Sequence, residues 1–260
     1  MRRPRLAFMA RFRHHSVMIG PLLKVSGALA ALLASTASTA AVAEDAPIVV
    51  ELFTSQGCYS CPPADALLGE LAAREEVLPL AFHVTYWDRL GWPDTLGLAA
   101  GTARQEAYAR SLGTGRMYTP QMVVQGQIDV VGSQRRRVMR ALEIISGEET
   151  SRLGLDISDG RLTIEAGNAT DAVVWFAAFD DVNEVTIERG ENAGKTLTYH
   201  HSVRELIELG RYDGEAMAAD LPLARLAADG RDGAAVLVQR ESDGAIVGAA
   251  RVTLPPPAEG

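Results

Sequence analysis

The chain contains only two cysteines, Cys58 and Cys61, and they lie between a predicted strand and a predicted helix. The residues before them, 48–53, are β-branched and mostly apolar, as expected of a buried strand. Pro62 and Pro63 follow, and prolines are tolerated in the first turn of a helix, where their missing N–H groups would have no partner. This succession favours an α/β arrangement in this part of the chain.

A cysteine at the start of a helix has a chemical use. Unpaired backbone N–H groups and the helix dipole stabilise a thiolate there, and the thiolate is the nucleophile of thiol–disulfide exchange. Cys58 would attack a substrate disulfide to form a mixed disulfide, and Cys61, one turn further on, would attack Cys58 and release the product. We therefore expect Cys58 and Cys61 to be catalytic.

Two other interpretations of the pair stay open. It could be an inert local disulfide, although a loop this short gains little entropic stabilisation from a crosslink. It could also bind a metal together with His83, but a structural zinc site usually has four ligands and the chain has no second C-x-x-C. We predict no metal and no organic cofactor, since the two cysteines carry the electrons themselves.

The periodicity beyond the cysteines changes near residue 147. Up to that point strands and helices alternate, which predicts an α/β domain over residues 44–147. From residue 152 to 254, short alternating runs and hairpin signals predict a mostly β, sandwich-like domain, in which 203–209 is the one helix-like piece. Residues 255–260 are predicted to form a disordered tail. The expected elements of the first domain are a strand at 48–53, a helix at 64–74, a strand at 77–84, a helix at 99–112, a strand ending at 124, a strand at 127–131 and a helix from 133 to 145.

The first 43 residues resemble a secretory signal peptide. They contain six basic and no acidic residues, an apolar run at 25–33, and the end Ala41-Val42-Ala43. A membrane anchor is the alternative, but the run is short for a membrane span. Cleavage would remove six positive charges and take the net charge from −8 to −14. We therefore expect a periplasmic or secreted protein that binds neither nucleic acid nor, after cleavage, a membrane.

The strand, the C-x-x-C pair on a helix and a later X-Pro that opens a strand together resemble the thioredoxin superfamily. The resemblance implies a cis proline beside the redox pair, and Thr119-Pro120 is the matching position. The Thr119 backbone would then pair with an extended substrate peptide. We take Thr119, Pro120, Tyr59 and Trp87 as candidate substrate-binding residues; Trp87 belongs to an aromatic loop that could form a lip for a peptide.

The chain departs from ordinary thioredoxins in two places. The tryptophan that often precedes the first cysteine is Gly57 here. Thioredoxins also keep a buried acid six residues before that cysteine, and this position is Leu52. Glu51 is one residue away; it is either a surface residue or, if it is buried near Cys61, a proton acceptor.

A narrower resemblance covers nearly all of the chain after residue 43, and it rests on the segments 49–58, 61–65, 83–88, 118–124 and 189–200. In these segments the chain is similar to the uncharacterised secreted bacterial family numbered 1223 among the domains of unknown function, which implies the thioredoxin-like fold and supplies no established substrate. Residues 195–201, which overlap the last segment, are dense in polar groups and could bind a ligand or pack on the first domain.

These observations predict an α/β thioredoxin-like domain followed by a mostly β, sandwich-like domain. The expected function is an exported thiol–disulfide oxidoreductase that acts on protein or peptide disulfides. One alternative is a non-catalytic binding module with a permanent Cys58–Cys61 disulfide, because folds outlive functions. Another is a metal-handling protein that uses the cysteine pair. The sequence does not indicate the oligomeric state.

Overall fold

The structure, a computed structural model, describes residues 46–147 and 153–256. The predicted signal peptide and most of the predicted tail, 257–260, lie outside these residues. The strands are β1 (Ile48–Thr54), β2 (Val77–His83), β3 (Gln121–Val124), β4 (Ile128–Val131), β5 (Leu155–Ser158), β6 (Arg161–Ile164), β7 (Ala172–Thr186), β8 (Thr196–Tyr212), β9 (Met217–Asp220), β10 (Gly233–Arg240) and β11 (Ile246–Thr253). The helices are α1 (Pro62–Ala72), α2 (Ala99–Ser111), α3 (Arg135–Ser146) and α4 (Leu223–Ala228), with a 3₁₀ turn at Asp88–Leu90.

Eight strands form one mixed sheet in the order β11-β10-β7-β8-β2-β1-β3-β4. β1 and β2 are parallel, while β3 runs antiparallel to β1. β8 joins β2 in parallel at Ala81 and Ser202, so strands from both halves of the chain share this sheet. β5, β6 and β9 form a separate three-stranded sheet.

β1 lies near the middle of the large sheet and is buried along its whole length. Because successive side chains of a strand point to opposite faces, its residues divide between two cores. Val50 and Leu52 pack with apolar residues of α1 and α3. Val49 and Phe53 pack on the other face, with Tyr108 of α2 and residues of β10 and β11. By the same alternation, Thr54 lies on the α1 face and Glu51 on the α2 face.

The predicted order of elements through α3 is confirmed. The two predicted strands and the helix around the cysteine pair lie where the periodicity indicated, with β1, α1 and β2 ending within two residues of the expected positions. Local patterns were sufficient here because each of these elements carries its own apolar run or stripe.

The predicted fold class is wrong. The described chain is mostly β and is organised around one large mixed sheet with few helices, and it is not an α/β thioredoxin-like domain followed by a separate sandwich-like domain. The two longest strands, β7 and β8, account for the difference, because they pair along their length and continue the sheet from β2. The predicted domain limits themselves stay a prediction, and their boundary falls at residues outside the described part.

The helix-like piece at 203–209 is also an error, since it lies within β8. Leu206 pairs with Ala177 of β7 in an antiparallel register. The register shifts twice along this pair of strands, which interrupts the two-residue alternation that identifies a strand in a sequence. Long-range pairing with β7 therefore overrides the local pattern. None of the described helices is both long and apolar enough to cross a membrane.

Candidate active site at the Cys58–Cys61 pair

Cys58 and Cys61 form a disulfide at the junction between β1 and α1, with their Cα atoms 5.5 Å apart. A tight turn holds the pair: the Cys58 N–H donates to Ser55 O at 3.0 Å, and the Cys61 N–H donates to Cys58 O at 3.2 Å. Cys61 directly precedes Pro62, the first residue of α1. After reduction, both sulfurs would therefore lie at the positive end of an 11-residue helix.

Both cysteines are buried although the turn between them is exposed. Cys58 is 1% exposed and Cys61 is fully buried, whereas Tyr59 is 68% exposed. A substrate can therefore reach Tyr59 directly but reaches the Cys58 sulfur only after some neighbouring group moves aside.

One neighbour of the turn is the connection between β7 and β8, residues 187–195, which we call the cap loop. Asn192 is fully buried, and its side-chain amide donates to Gln56 O and to Cys58 O, both at 2.9 Å. The Tyr59 N–H donates to a carboxylate oxygen of Glu191 at 3.2 Å. The Lys195 ammonium lies 4.9 Å from the centre of the Tyr59 ring. The cap loop thus closes over the cysteine turn.

The cap loop was missed as part of the site. Most of its residues belong to the segment 189–200 that carried the family resemblance, and the dense polar residues at 195–201 left both a ligand site and packing on the first half open. The structure shows that Lys195 packs on the first half of the chain, with its ammonium 4.9 Å from the centre of the Tyr59 ring. The same ammonium donates to Asn192 Oδ1 at 2.9 Å and thereby orients the amide that contacts the Cys58 carbonyl. Polarity alone carried no indication of this partner.

Three of the predicted substrate-binding residues lie together beside the pair. Trp87 packs against Gly57, where an added Cβ would come within 3.2 Å of the Trp87 Cβ. The Trp87 indole N–H donates to the Thr119 hydroxyl at 2.8 Å. The Thr119–Pro120 bond is cis, and Pro120 directly precedes Gln121, the partner of Phe53 in the sheet. Their role in binding, like that of Tyr59, stays a prediction.

A second loop, at 92–95, fixes the residue two before Cys58. Gln56 is fully buried, and its backbone N–H donates to Asp94 Oδ2 at 2.8 Å. Its side-chain oxygen accepts from the Trp92 indole at 2.8 Å, and its side-chain amide donates to Thr95 Oγ1 at 2.9 Å. The loop at 92–95 and the cap loop therefore both hold Gln56 in place, the first through its N–H and side chain and the second through its carbonyl.

Glu51 is buried but does not lie near Cys61. It points to the face of the sheet covered by α2, where it forms an ion pair with Arg104 and accepts the Tyr108 hydroxyl. Burial opposes the charge on Arg104, yet Glu51 and Tyr108 raise its pKa, so Arg104 stays charged. Because α1 lies on the other face, Glu51 is not a proton acceptor for Cys61.

His83 lies on the α1 face, opposite Thr54 in the β1–β2 ladder. Its Nδ1 atom is 2.9 Å from Asp94 Oδ2, and both side chains are fully buried. Within residues 46–147 and 153–256, no three Cys, His, Asp or Glu side chains converge in an arrangement that could hold a metal ion.

Fold and site together define a mostly β protein in which a C-x-x-C disulfide opens a helix under a loop from the second half of the chain. The chain belongs to the family described as "Protein of unknown function (DUF1223)", whose model matches residues 49–239. This confirms the resemblance to the family numbered 1223, while export stays a prediction.

Two solved structures are similar to this chain. Protein AGR_C_4864 of Agrobacterium tumefaciens is 34% identical, with a TM-score of 0.69 over 84% of this chain and 99% of that one. HBP35 of Porphyromonas gingivalis is 14% identical, with a TM-score of 0.55 over 83% of this chain and 78% of that one, and this likeness concerns the fold alone. No curated protein matches the chain significantly in sequence.

Proposed function

We propose that this protein is an exported thiol–disulfide oxidoreductase that acts on protein or peptide disulfides through Cys58 and Cys61. The observation that carries the proposal is the position of the disulfide, which joins the only two cysteines of the chain at the amino end of α1. A crosslink between residues three apart constrains the unfolded chain little, so stabilisation does not account for it. Export rests on the signal-peptide pattern of residues 1–43.

The roles of the two sulfurs follow from their positions. Cys58 comes first and adjoins the exposed Tyr59, so a client sulfur that displaces the cap loop meets Cys58. Cys61 is fully buried and is bonded to Cys58, so an incoming client sulfur meets Cys58 first. This order suits a nucleophile that faces the client and a second thiol that resolves the mixed disulfide.

The burial of both sulfurs also supports a second candidate function. A binding module that keeps a permanent Cys58–Cys61 disulfide needs no access to Cys58, which is 1% exposed and whose carbonyl is bonded to the buried amide of Asn192. In such a protein the disulfide would only shape the turn that presents Tyr59. The two functions differ in whether the pair ever exchanges with another thiol.

Trapping with Cys61→Ser distinguishes them. An exchange enzyme without its resolving thiol should accumulate mixed disulfides through Cys58, which appear as mass-shifted species that a reductant removes. We expect such adducts with Cys61→Ser and none with Cys58→Ser, which removes the nucleophile and keeps one thiol in the pair. Equal adduct yields from the two variants, or none from either, would support the binding module.

A further inference from the structure

A buried polar cluster of Thr54, Asp65, His83 and Tyr199 lies on the face of the sheet covered by α1. Asp65 is one turn beyond Cys61, and its backbone N–H donates to Cys61 O at 3.1 Å. Side chains four residues apart on a helix have Cβ atoms about 5–6 Å from each other. The Asp65 carboxyl is therefore the nearest acidic group to Cys61 along the helix.

Cys61 lacks the backbone donors that would stabilise it as a free thiolate. Pro62 and Pro63 have no N–H group. The next two N–H groups, of Ala64 and Asp65, donate to the Cys61 carbonyl at 2.8 and 3.1 Å. Since Cys61 is also fully buried, its thiol can lose a proton only to a neighbouring side chain.

Three polar atoms of this cluster have no hydrogen-bond partner within the described residues: Asp65 Oδ2, His83 Nε2 and the Tyr199 hydroxyl. The other Asp65 oxygen accepts the Thr54 hydroxyl at 2.7 Å, and the His83 and Tyr199 rings lie 4.7 Å apart. Buried polar groups are nearly always paired, so a group of three unpaired ones calls for a functional explanation. Asp65 is 5% exposed and the other two are more deeply buried.

The charge of Asp65 changes near neutral pH. Burial raises the pKa of Asp65 to about 7, against the lowering effects of the Thr54 hydrogen bond and of His83. Burial would also raise the pKa of Asp94, but His83 and the N–H groups of Gln56 and Leu96 bring it below its usual value. Burial, with the charges of Asp65 and Asp94, raises the pKa of Tyr199, which stays a neutral phenol.

Asp65 also lines an open groove of about 550 Å³ between α1 and β8. Glu70 and His200 line the same groove, so the charged and titratable groups around Asp65 are Glu70 of α1, His83 of β2, Asp94 and the β8 residues Tyr199 and His200. A proton on Asp65 can reach solvent by this route while the cap loop stays closed over Cys58.

We propose that Asp65 is the proton acceptor for Cys61 and returns that proton to solvent through the groove between α1 and β8. The inference rests on the proposed function.

In the resolving step Cys61 gives its proton to the Asp65 carboxylate, and the Cys61 sulfur attacks Cys58. The bond between Cys58 and the client sulfur breaks, and the client leaves as a thiolate that is protonated by solvent. The two thiols of the protein are oxidised to a disulfide, and the client disulfide is reduced to two thiols. A client dithiol drives the reverse step, in which Asp65 donates the proton.

Asp65→Asn tests this, because an amide still accepts the Thr54 hydroxyl but cannot take a proton. The reduced full-length mature protein is mixed with dithiobis(nitrobenzoic acid), which releases one coloured thiolate when Cys58 attacks and a second when Cys61 resolves the adduct. General-base assistance is typically worth at least about 100-fold in rate. We expect Asp65→Asn to slow the second release by about that factor at pH 8 and to leave the first within about threefold. The wild-type second rate should change with an inflection near pH 7, and the variant should lose it.

Glu106→Gln, which removes an exposed carboxylate from α2, is the matched control and should behave as wild type. A purely structural role for Asp65 would slow both releases or leave the inflection in place, and either result overturns the inference while the proposed function stands. If wild-type protein releases only the first thiolate, Cys61 does not resolve adducts, and both proposals fail.

Discussion

Arg104→Met is expected to lower the free energy of unfolding by about 3–5 kcal/mol, because it leaves a buried carboxylate without its counter-charge. Glu51 is fully buried in the middle of β1, and Arg104 of α2 contacts both of its carboxylate oxygens. Arg104 also donates to Gln239 of β10 at 3.0 Å, and the Gln239 amide donates to the Tyr108 hydroxyl at 2.9 Å. The pair therefore connects three elements drawn from both halves of the chain.

Urea unfolding at pH 7, followed by circular dichroism, measures this loss. The double variant Glu51→Leu with Arg104→Met is the informative control, because replacing both members of a buried ion pair by apolar residues is often neutral or stabilising. It should recover most of the stability that Arg104→Met loses. A loss below about 1 kcal/mol in the single variant would contradict this expectation. It would mean that Glu51 takes up a proton, is solvated by water or meets another cation once Arg104 is removed.

Asn192→Ala is expected to speed reduction of the Cys58–Cys61 disulfide by a phosphine about 10- to 30-fold. The substitution removes the two hydrogen bonds that hold the cap loop to Gln56 O and Cys58 O. Each bond contributes about 1 kcal/mol, so losing both should raise the population of the open loop by about 10- to 30-fold. The reduction rate should rise by the same factor, because the reductant reaches Cys58 when the loop is open. Thiols that appear with time, quantified by alkylation and mass, give the rate.

Glu188→Ala is the matched control, since it truncates an exposed side chain of the same loop. It should leave the reduction rate unchanged. Unfolding measured in parallel separates local opening from a general loss of stability. If Asn192→Ala is reduced no faster than wild type, another group, such as the loop that holds Gln56, controls access to Cys58.

The region around the cysteines could be predicted because its signals are local. The apolar run of β1, the cysteine pair and the two prolines are contiguous, and they define the turn without any distant contact. The cis Thr119–Pro120 bond was anticipated only through the family resemblance. The contact of Trp87 with Thr119 depends on how two separate loops approach each other, and no local pattern encodes it.

The prediction of the fold class was wrong because it depends on pairing between distant strands, which no local pattern encodes. The single link between Ala81 and Ser202 adds the long β7–β8 pair to the strands of the first half, and nothing near either residue in the chain indicates this partner. Glu51 and Asp65 show the limit for the site. Both are buried acids among apolar residues, but Glu51 lies in β1 and pairs with Arg104 on one face of the sheet, whereas Asp65 lies in α1 on the other face. Nothing local in the sequence distinguishes the two cases.

The reduction potential of the Cys58–Cys61 pair tests the central claim most directly. The protein is equilibrated in a series of thiol and disulfide buffers, and because it has no other cysteine, the alkylated fraction reports this pair alone. A pair that exchanges with clients should have a potential between about −270 and −120 mV, the range of known exchange proteins. A potential below about −300 mV, as structural disulfides of secreted proteins have, would contradict the account.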